Sequence, residues 1–287
     1  MKKRLLTLAV VASAVVSGSA MAAAAGGWED GMTTGTFSFG GEVTSKKPVV
    51  WQWKLGTDKT DFSADMSQLN EGKQDLTITA DKDIPILAAK LKNAVAGADF
   101  EQVGTFPIVS FASKDNTPIT PNFSSNGGIA LAINTYDDKN TKIGTLTVNG
   151  TVAGAVAMKT NDDQYRIEAL GGQSGGAFAG VIPMINNWAV FGGENGASVA
   201  AKFGAPDSDE IKTQVKDFVS DPSAQFANIE GSVWTTMRSS NDTTYKAYAY
   251  TYGLGVKQGN SLQLHFDKAI DATTQWSAPL IINVAYQ

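Results

Sequence analysis

The sequence predicts a mainly β protein, a sandwich or barrel of short antiparallel strands, and three observations carry that prediction. Apolar and polar side chains alternate over many short stretches, the period of a half-buried strand. Gly, Pro, Asn and Asp punctuate those stretches as turn residues do. The composition, 43% hydrophobic with 29 glycines and 18% charged residues, favours strands with Thr, Ser and Asn on their polar faces.

The elements follow in order. From Thr33 the odd positions read Thr33, Gly35, Phe37, Phe39, Gly41 and Val43, with Thr34, Thr36, Ser38 and Glu42 among the residues between. This is an extended ribbon with one apolar edge, interrupted by glycine at both ends and broken by Lys46, Lys47 and Pro48. A second alternation sets Val49, Trp51, Trp53 and Leu55 against Val50, Gln52 and Lys54. Leu76 to Thr79, Pro107 to Ala112 and Ile129 to Tyr136 read as further strands. Ile143 to Val156 reads as strand with a turn near Asn149-Gly150, because Asn-Gly favours hairpin turns. Leu87, Leu91 and Val95 recur at a spacing of four, so Ile84 to Val95 reads as helical or irregular. Strands resume with Tyr248, Tyr250, Tyr252 and Leu254, continue through Ser261 to Phe266, and end with Leu280, Ile282, Val284 and Tyr286 on one face.

Between about residues 160 and 242 the texture changes. Glycine pairs at 171–172, 175–176 and 192–193 and Gly196 mark a loop-rich stretch holding one convincing helix. Asp207 is its N-cap, Glu210 stands at the capping-box spacing, Ile211, Val215, Phe218 and Val219 form its apolar stripe, and Asp221-Pro222 ends it. A region so different, flanked by strands, reads as an insertion into a β-sandwich.

The N-terminus carries Lys2, Lys3 and Arg4, an apolar run from Leu5 to Val16, and Ala20-Met21-Ala22, the layout of a cleaved export signal. Cleavage after Ala22, or at Ala23 to Ala25, removes three positive charges and takes the formal charge from −5 to −8. An acidic chain without Lys/Arg blocks argues against nucleic acid as a partner. The absence of cysteine in an exported chain excludes disulfides and thiolate metal sites.

Catalytic chemistry is poorly represented. Gly172-Gln173-Ser174-Gly175-Gly176 satisfies the G-x-S-x-G pattern, but the strand–turn–helix context is absent and His265 is the only histidine to serve as base. A single histidine also makes no metal cluster. No catalytic residue, metal or cofactor is expected. Binding is better supported: Tyr165, Trp188, Phe191 and Trp234 lie in or beside the glycine-rich stretch, with Arg166 and Arg238 as hydrogen-bond donors. Aromatic faces with polar neighbours suit a glycan, although for any single ring a place in a small core of the insertion is the favoured reading.

Gly35 to Thr44 with Trp51-Gln52-Trp53-Lys54-Leu55-Gly56 resembles the N-terminus of adhesive major fimbrial subunits of enterotoxigenic enteric bacteria. Thr274 to Leu280 and the tail to Tyr286 are similar to the close of that family, and Ile119 to Asn126 and Gly144 to Val148 also fit. The likeness weakens from about Lys159 to Asp242, so contact residues there do not transfer. The resemblance implies an incomplete immunoglobulin-like sandwich, with residues 1–22 a signal peptide, 23–44 an N-terminal extension and 45–287 the pilin domain. It implies a chaperone–usher system, in which a periplasmic chaperone and then the extension of the next subunit fill the sandwich's open groove at an outer-membrane usher. Gly35, Phe37, Phe39 and Gly41 would be the donor strand, and Leu280, Ile282, Val284 and Tyr286 the C-terminal strand that contacts the chaperone, packing inward. It further implies a cell-surface fimbrium of neighbouring copies that binds a host glycoprotein or glycolipid receptor. The alternatives are a non-adhesive or minor structural pilin and, in a different class, an outer-membrane β-barrel.

Overall fold

The structure, a computed structural model, describes residues 51–56, 61–96, 107–172, 177–183, 189–230 and 245–286. The chain divides into two units, residues 1–48 and 49–287, and all described residues belong to the second. The ribbon at Gly35 to Gly41, expected to be the donor strand, therefore lies outside the described residues.

Among the described residues thirteen strands and two α-helices are formed: β1 (Trp51–Leu55), β2 (Asp75–Thr79), β3 (Ile84–Leu91), β4 (Pro107–Ser113), β5 (Pro118–Ile119), β6 (Asn122–Ser124), β7 (Gly128–Tyr136), β8 (Lys142–Thr160), β9 (Tyr165–Ala169), α1 (Gly193–Ala201), α2 (Ser208–Val219), β10 (Ala227–Asn228), β11 (Tyr245–Val256), β12 (Ser261–Phe266) and β13 (Leu280–Tyr286). They build a ten-stranded sheet and a three-stranded sheet in the order β13-β4-β5. The protein is mainly β, a sandwich of open sheets with helix-bearing connections. Among the described residues the large sheet has free edges and does not close on itself as a barrel must.

The 19-residue β8 is the spine of the large sheet. Along one edge it pairs first with β12 and then with β11. Thr151 has partners in both β7 and β11, so these lie on opposite edges, and β7 is followed by β9 on the second edge. Beyond them β2 pairs β12 and β3 pairs β11, with β1 outermost.

The two faces of this sheet are packed differently. Even-numbered residues of β8 and β11, including Leu146, Val148, Val156, Tyr250 and Tyr252, enter the main core. Against them lie Val109, Phe111 and Ile119 of the small sheet, with Leu280, Ile282 and Val284 partly buried alongside. Odd-numbered Ala155, Ala157, Ala247 and Ala249 join Ala197, Ile211 and Val215 of the helices. Small residues let the helices approach the sheet, so the Tyr/Ala alternation of β11 is buried on both sides.

Three sequence expectations give way here. Ile84 to Leu91 is a strand rather than a helix. Its core face carries Leu87, Ala89 and Leu91, and Ala88 on the other face is buried too, which erases the apolar–polar alternation that marks a half-buried strand. Asn149-Gly150 is no turn, since Ala130↔Asn149 and Ile129↔Gly150 pair straight through it. The segment at Gly192-Gly193 contains a second helix, α1, that glycine content concealed. A Cβ at Gly193 would stand 2.4 Å from the Ile167 carbonyl, and one at Gly196 2.4 Å from the Gly154 oxygen. Glycine costs a helix about 1 kcal/mol relative to alanine, but here it admits the helix to the sheet. The expected helix α2 forms with Asp207 accepting from the Glu210 amide at 2.9 Å.

Candidate assembly groove and receptor face

Among the described residues, nothing fills the sandwich along its whole length. A groove of about 1110 Å³ opens between the sheets. Its floor is the inner face of the large sheet: Ile133, Leu146, Val148, Leu262, Phe266, Leu76 and Ile84. One wall is Leu280 and Ile282 of β13 with Trp276 to Pro279, and the other is Leu55, Phe62, Met66 and Leu69. Leu55 is 57% and Met66 40% exposed, so large apolar side chains line an open channel instead of a closed core.

Backbone and side chains agree on what is lacking. Among the described residues β13 pairs with β4 alone and leaves its second edge unpaired. Its inward Leu280, Ile282 and Val284 are each only partly buried, although each faces the main core. An unpaired edge beside an apolar trough offers hydrogen bonds and side-chain pockets to an added strand. Tyr286 departs from the expected inward packing. It is 43% exposed, and its hydroxyl accepts a 2.8 Å hydrogen bond from Trp53 Nε1, tying the last turn of β13 to β1. A polar phenol at the strand end keeps its hydroxyl satisfied by stopping short of the core.

The expected glycan residues are scattered. Trp188, Trp234 and Arg238 lie outside the described residues. Tyr165 is engaged locally: its hydroxyl donates to Asp221 Oδ2 at 2.7 Å, its ring lies 5.3 Å from that of Phe226, and Lys159 stands 5.0 Å over it. Burial is the first cause holding the Tyr165 phenol above its ordinary pKa, and the Asp221 carboxylate adds to it. Arg166 is the next residue of β9 and faces the opposite side of the sheet, so the two do not share a site. Phe191 is half-buried just before α1.

The other polar candidates are structural. His265 Nδ1 meets Asp75 Oδ1 at 2.6 Å across the β12–β2 pair, on an exposed face. Gly172, the only described residue of the G-x-S-x-G match, bonds its amide to the Pro183 carbonyl. Among the described residues no group of three or more His, Cys, Asp or Glu could hold a metal ion, and no helix is long and apolar enough to cross a membrane.

Fold and groove together define a class: mainly β sandwich subunits with a strand-sized apolar opening along one edge. The sequence model of the family described as "Fimbrial, major and minor subunit" matches residues 1–287, and the chain belongs to that family. It is 32% identical to the F41 fimbrial protein of Escherichia coli over 291 residues, covering 100% of both chains. It is 29% identical to the K88 fimbrial protein AD and 28% identical to the K88 fimbrial protein AC of the same organism, again over 100% of both chains. Membership makes it a structural subunit of a cell-surface appendage that assembles with other fimbrial subunits.

Proposed function

We propose that this chain is an adhesive major fimbrial subunit that polymerises by donor-strand exchange and binds host-cell glycoconjugates. The observation that carries the polymerisation is the open groove beside the unpaired edge of β13. The occupant is the N-terminal extension of a neighbouring copy. Its Gly35, Phe37, Phe39 and Gly41 alternate with polar residues, and an extended strand presents every second side chain to one face. Gly35 to Val43 spans roughly 30 Å when extended, enough to run the length of β13. A periplasmic chaperone fills the same groove before assembly, after export directed by residues 1–22, and an outer-membrane usher exchanges the two.

Receptor binding is assigned to the 160–242 segment. Its described strands and helices attach to the second half of β8, through β9 and α1, whereas the groove uses Leu146 and Val148 of the first half. Adhesion and assembly thus occupy different ends of the spine, and the receptor face is free to vary without disturbing the groove.

Deleting the mature terminus through Gly41 tests the assembly reading. The expected product is chaperone-bound subunit in the periplasm with no fibres, and fibres of normal length would overturn the proposal. Binding of wild-type fibres to isolated host glycoproteins and glycolipids tests adhesion, and fibres that bind none would make this a non-adhesive pilin.

A further inference from the structure

One end of the groove is closed by a turn that the 160–242 segment sends between the sheets. On β13 the lining includes Leu280 and Ile282 but not Val284 or Tyr286, and on β1 it includes Leu55 but not Trp53. Across that end stands Phe178, which is fully buried. Its ring stacks on Tyr252 at 4.3 Å and meets the rings of Trp51 at 5.2 Å and Trp53 at 6.0 Å. Its amide donates to the Pro107 carbonyl at 3.0 Å, and Pro107 is the residue of β4 that pairs with Tyr286. The Trp53–Tyr286 hydrogen bond completes the same wall from β1. The large sheet holds the turn too, since the Tyr252 hydroxyl donates to the Val181 carbonyl at 3.1 Å. Phe178 keeps a φ of 59°, in the left-handed region that a bulky side chain rarely adopts. Such a conformation persists only where its surroundings over-determine it, and it gathers at functional positions.

We propose that Phe178 is a built-in stop that limits how far donor side chains fill the groove and so fixes the donor's register. The inference rests on the donor-strand reading above. Antiparallel pairing is the more stable mode, and β13 runs from the open lining toward the stop. An antiparallel donor therefore brings its N-terminal residues to the closed end. With Phe39 beside Leu280 and Phe37 beside Ile282, Gly35 falls beside Val284, the first inward position past the groove. A residue without a side chain suits a place whose space Phe178 and Trp53 have taken, while the backbone goes on pairing. At the other end Gly41 falls beside Ala278, inside the open lining and away from the stop. A slip of two residues toward Tyr286 would drive Phe37 against Phe178.

Fibre assembly by cells carrying the full chain tests the stop, read from immunoblots of heat-sheared surface material. Gly35→Phe sets a ring against Phe178 and should lower fibre yield about tenfold or more, the effect of overfilling a packed space. Phe178→Ala vacates that space, so Gly35→Phe combined with it should recover the yield of Phe178→Ala alone. Phe178→Ala by itself should still assemble, at a lower unfolding temperature, because a filled core position is lost. Phe178→Leu takes its place if the alanine variant accumulates no periplasmic subunit. Gly41→Phe should change yield by the same factor whether residue 178 is Phe or its replacement. Lost stability lowers yields and restores none, so recovery separates a stop from a mere core residue. Wild-type yield from Gly35→Phe, or a loss that no Phe178 variant relieves, overturns the stop, and relief of Gly41→Phe instead overturns the register. These results leave donor-strand exchange standing where deletion through Gly41 abolishes fibres, whereas fibres from that deletion sink both.

Discussion

One glycine and one glutamate show how much a single side chain decides here. A Cβ at Gly253 would meet the Ala200 oxygen at 2.6 Å and the Ala200 Cα at 2.8 Å, both backbone atoms of α1 that cannot swing aside. Gly253→Ala should therefore lift α1 from the sheet and cost about 1–3 kcal/mol, the range of an overpacked core, measured as a lowered urea midpoint with unchanged slope. Glu168 acts in the opposite direction. Its folded pKa is raised above the ordinary 4.5, so ionisation opposes folding. Relative to a neutral Gln, the wild type carries no penalty below that ordinary value, and the penalty grows as pH rises through the folded pKa. Glu168→Gln should unfold at a higher temperature than wild type at pH 7, with the gap closing below about pH 4.5. Equal melting temperatures at both pH values would show the carboxylate to be fully solvated.

At the scale of elements, strands whose two faces differ in polarity or in size were legible, the Tyr/Ala alternation of doubly covered β11 included, and β3, covered on both sides without such a contrast, was not. Ser261 to Phe266 and Leu280 to Tyr286 match their predicted bounds residue for residue, since large apolar side chains recur at every second position in both and polar Ser261, Gln263, His265 and Asn283 stand between them. In β3 the helix-facing side is alanine and a paired lysine, Lys90 to Glu210 at 2.8 Å, so period two vanished and a chance spacing of leucines imitated a helix. The capped helix α2 was legible because its signal is local. Asp207→Ala should remove the bond to the Glu210 amide and cost about 1 kcal/mol, read from thermal unfolding of the subunit. The helix α1 was not legible, since its glycines answer to Gly154 and Ile167, distant in sequence. The C-terminal strand was placed correctly but its apolar face ends one position early. Ile282 lines the groove, whereas Tyr286 is tied to Trp53 at the rim. Ile282→Asp should consequently abolish surface fibres by placing a charge in the seam, at several kcal/mol unless neutralised. Tyr286→Asp loses one exposed hydrogen bond and should reduce export only in part, as immunoblots of periplasm and sheared surface material would show.

For the whole molecule, the proposed assembly rests on a groove and a sequence pattern that lie in different parts of the chain. No alternation in the sequence revealed a gap between sheets. That gap is a sum of partial burials at Leu55, Met66, Leu280 and Ile282, each ordinary for a strand edge and informative only when they face one another. The proposed donor ribbon has the matching pattern, since Phe37 and Phe39 stand on one edge of a segment too glycine-rich to form a good strand unaided. If the groove is the receiving site, the ribbon should work in trans as a free peptide. Subunit lacking its extension through Gly41, mixed with a peptide spanning residues 33–43, should gain stability as RT ln(1 + [L]/Kd), about 2.7 kcal/mol at a hundredfold excess over Kd. A peptide with Phe37→Ser and Phe39→Ser presents the same backbone without the apolar edge and should give little shift. Since backbone pairing to β13 alone would be satisfied by either peptide, equal shifts would mean that the edge and not the groove selects the donor. No shift from either would mean that this opening is not where neighbouring subunits join.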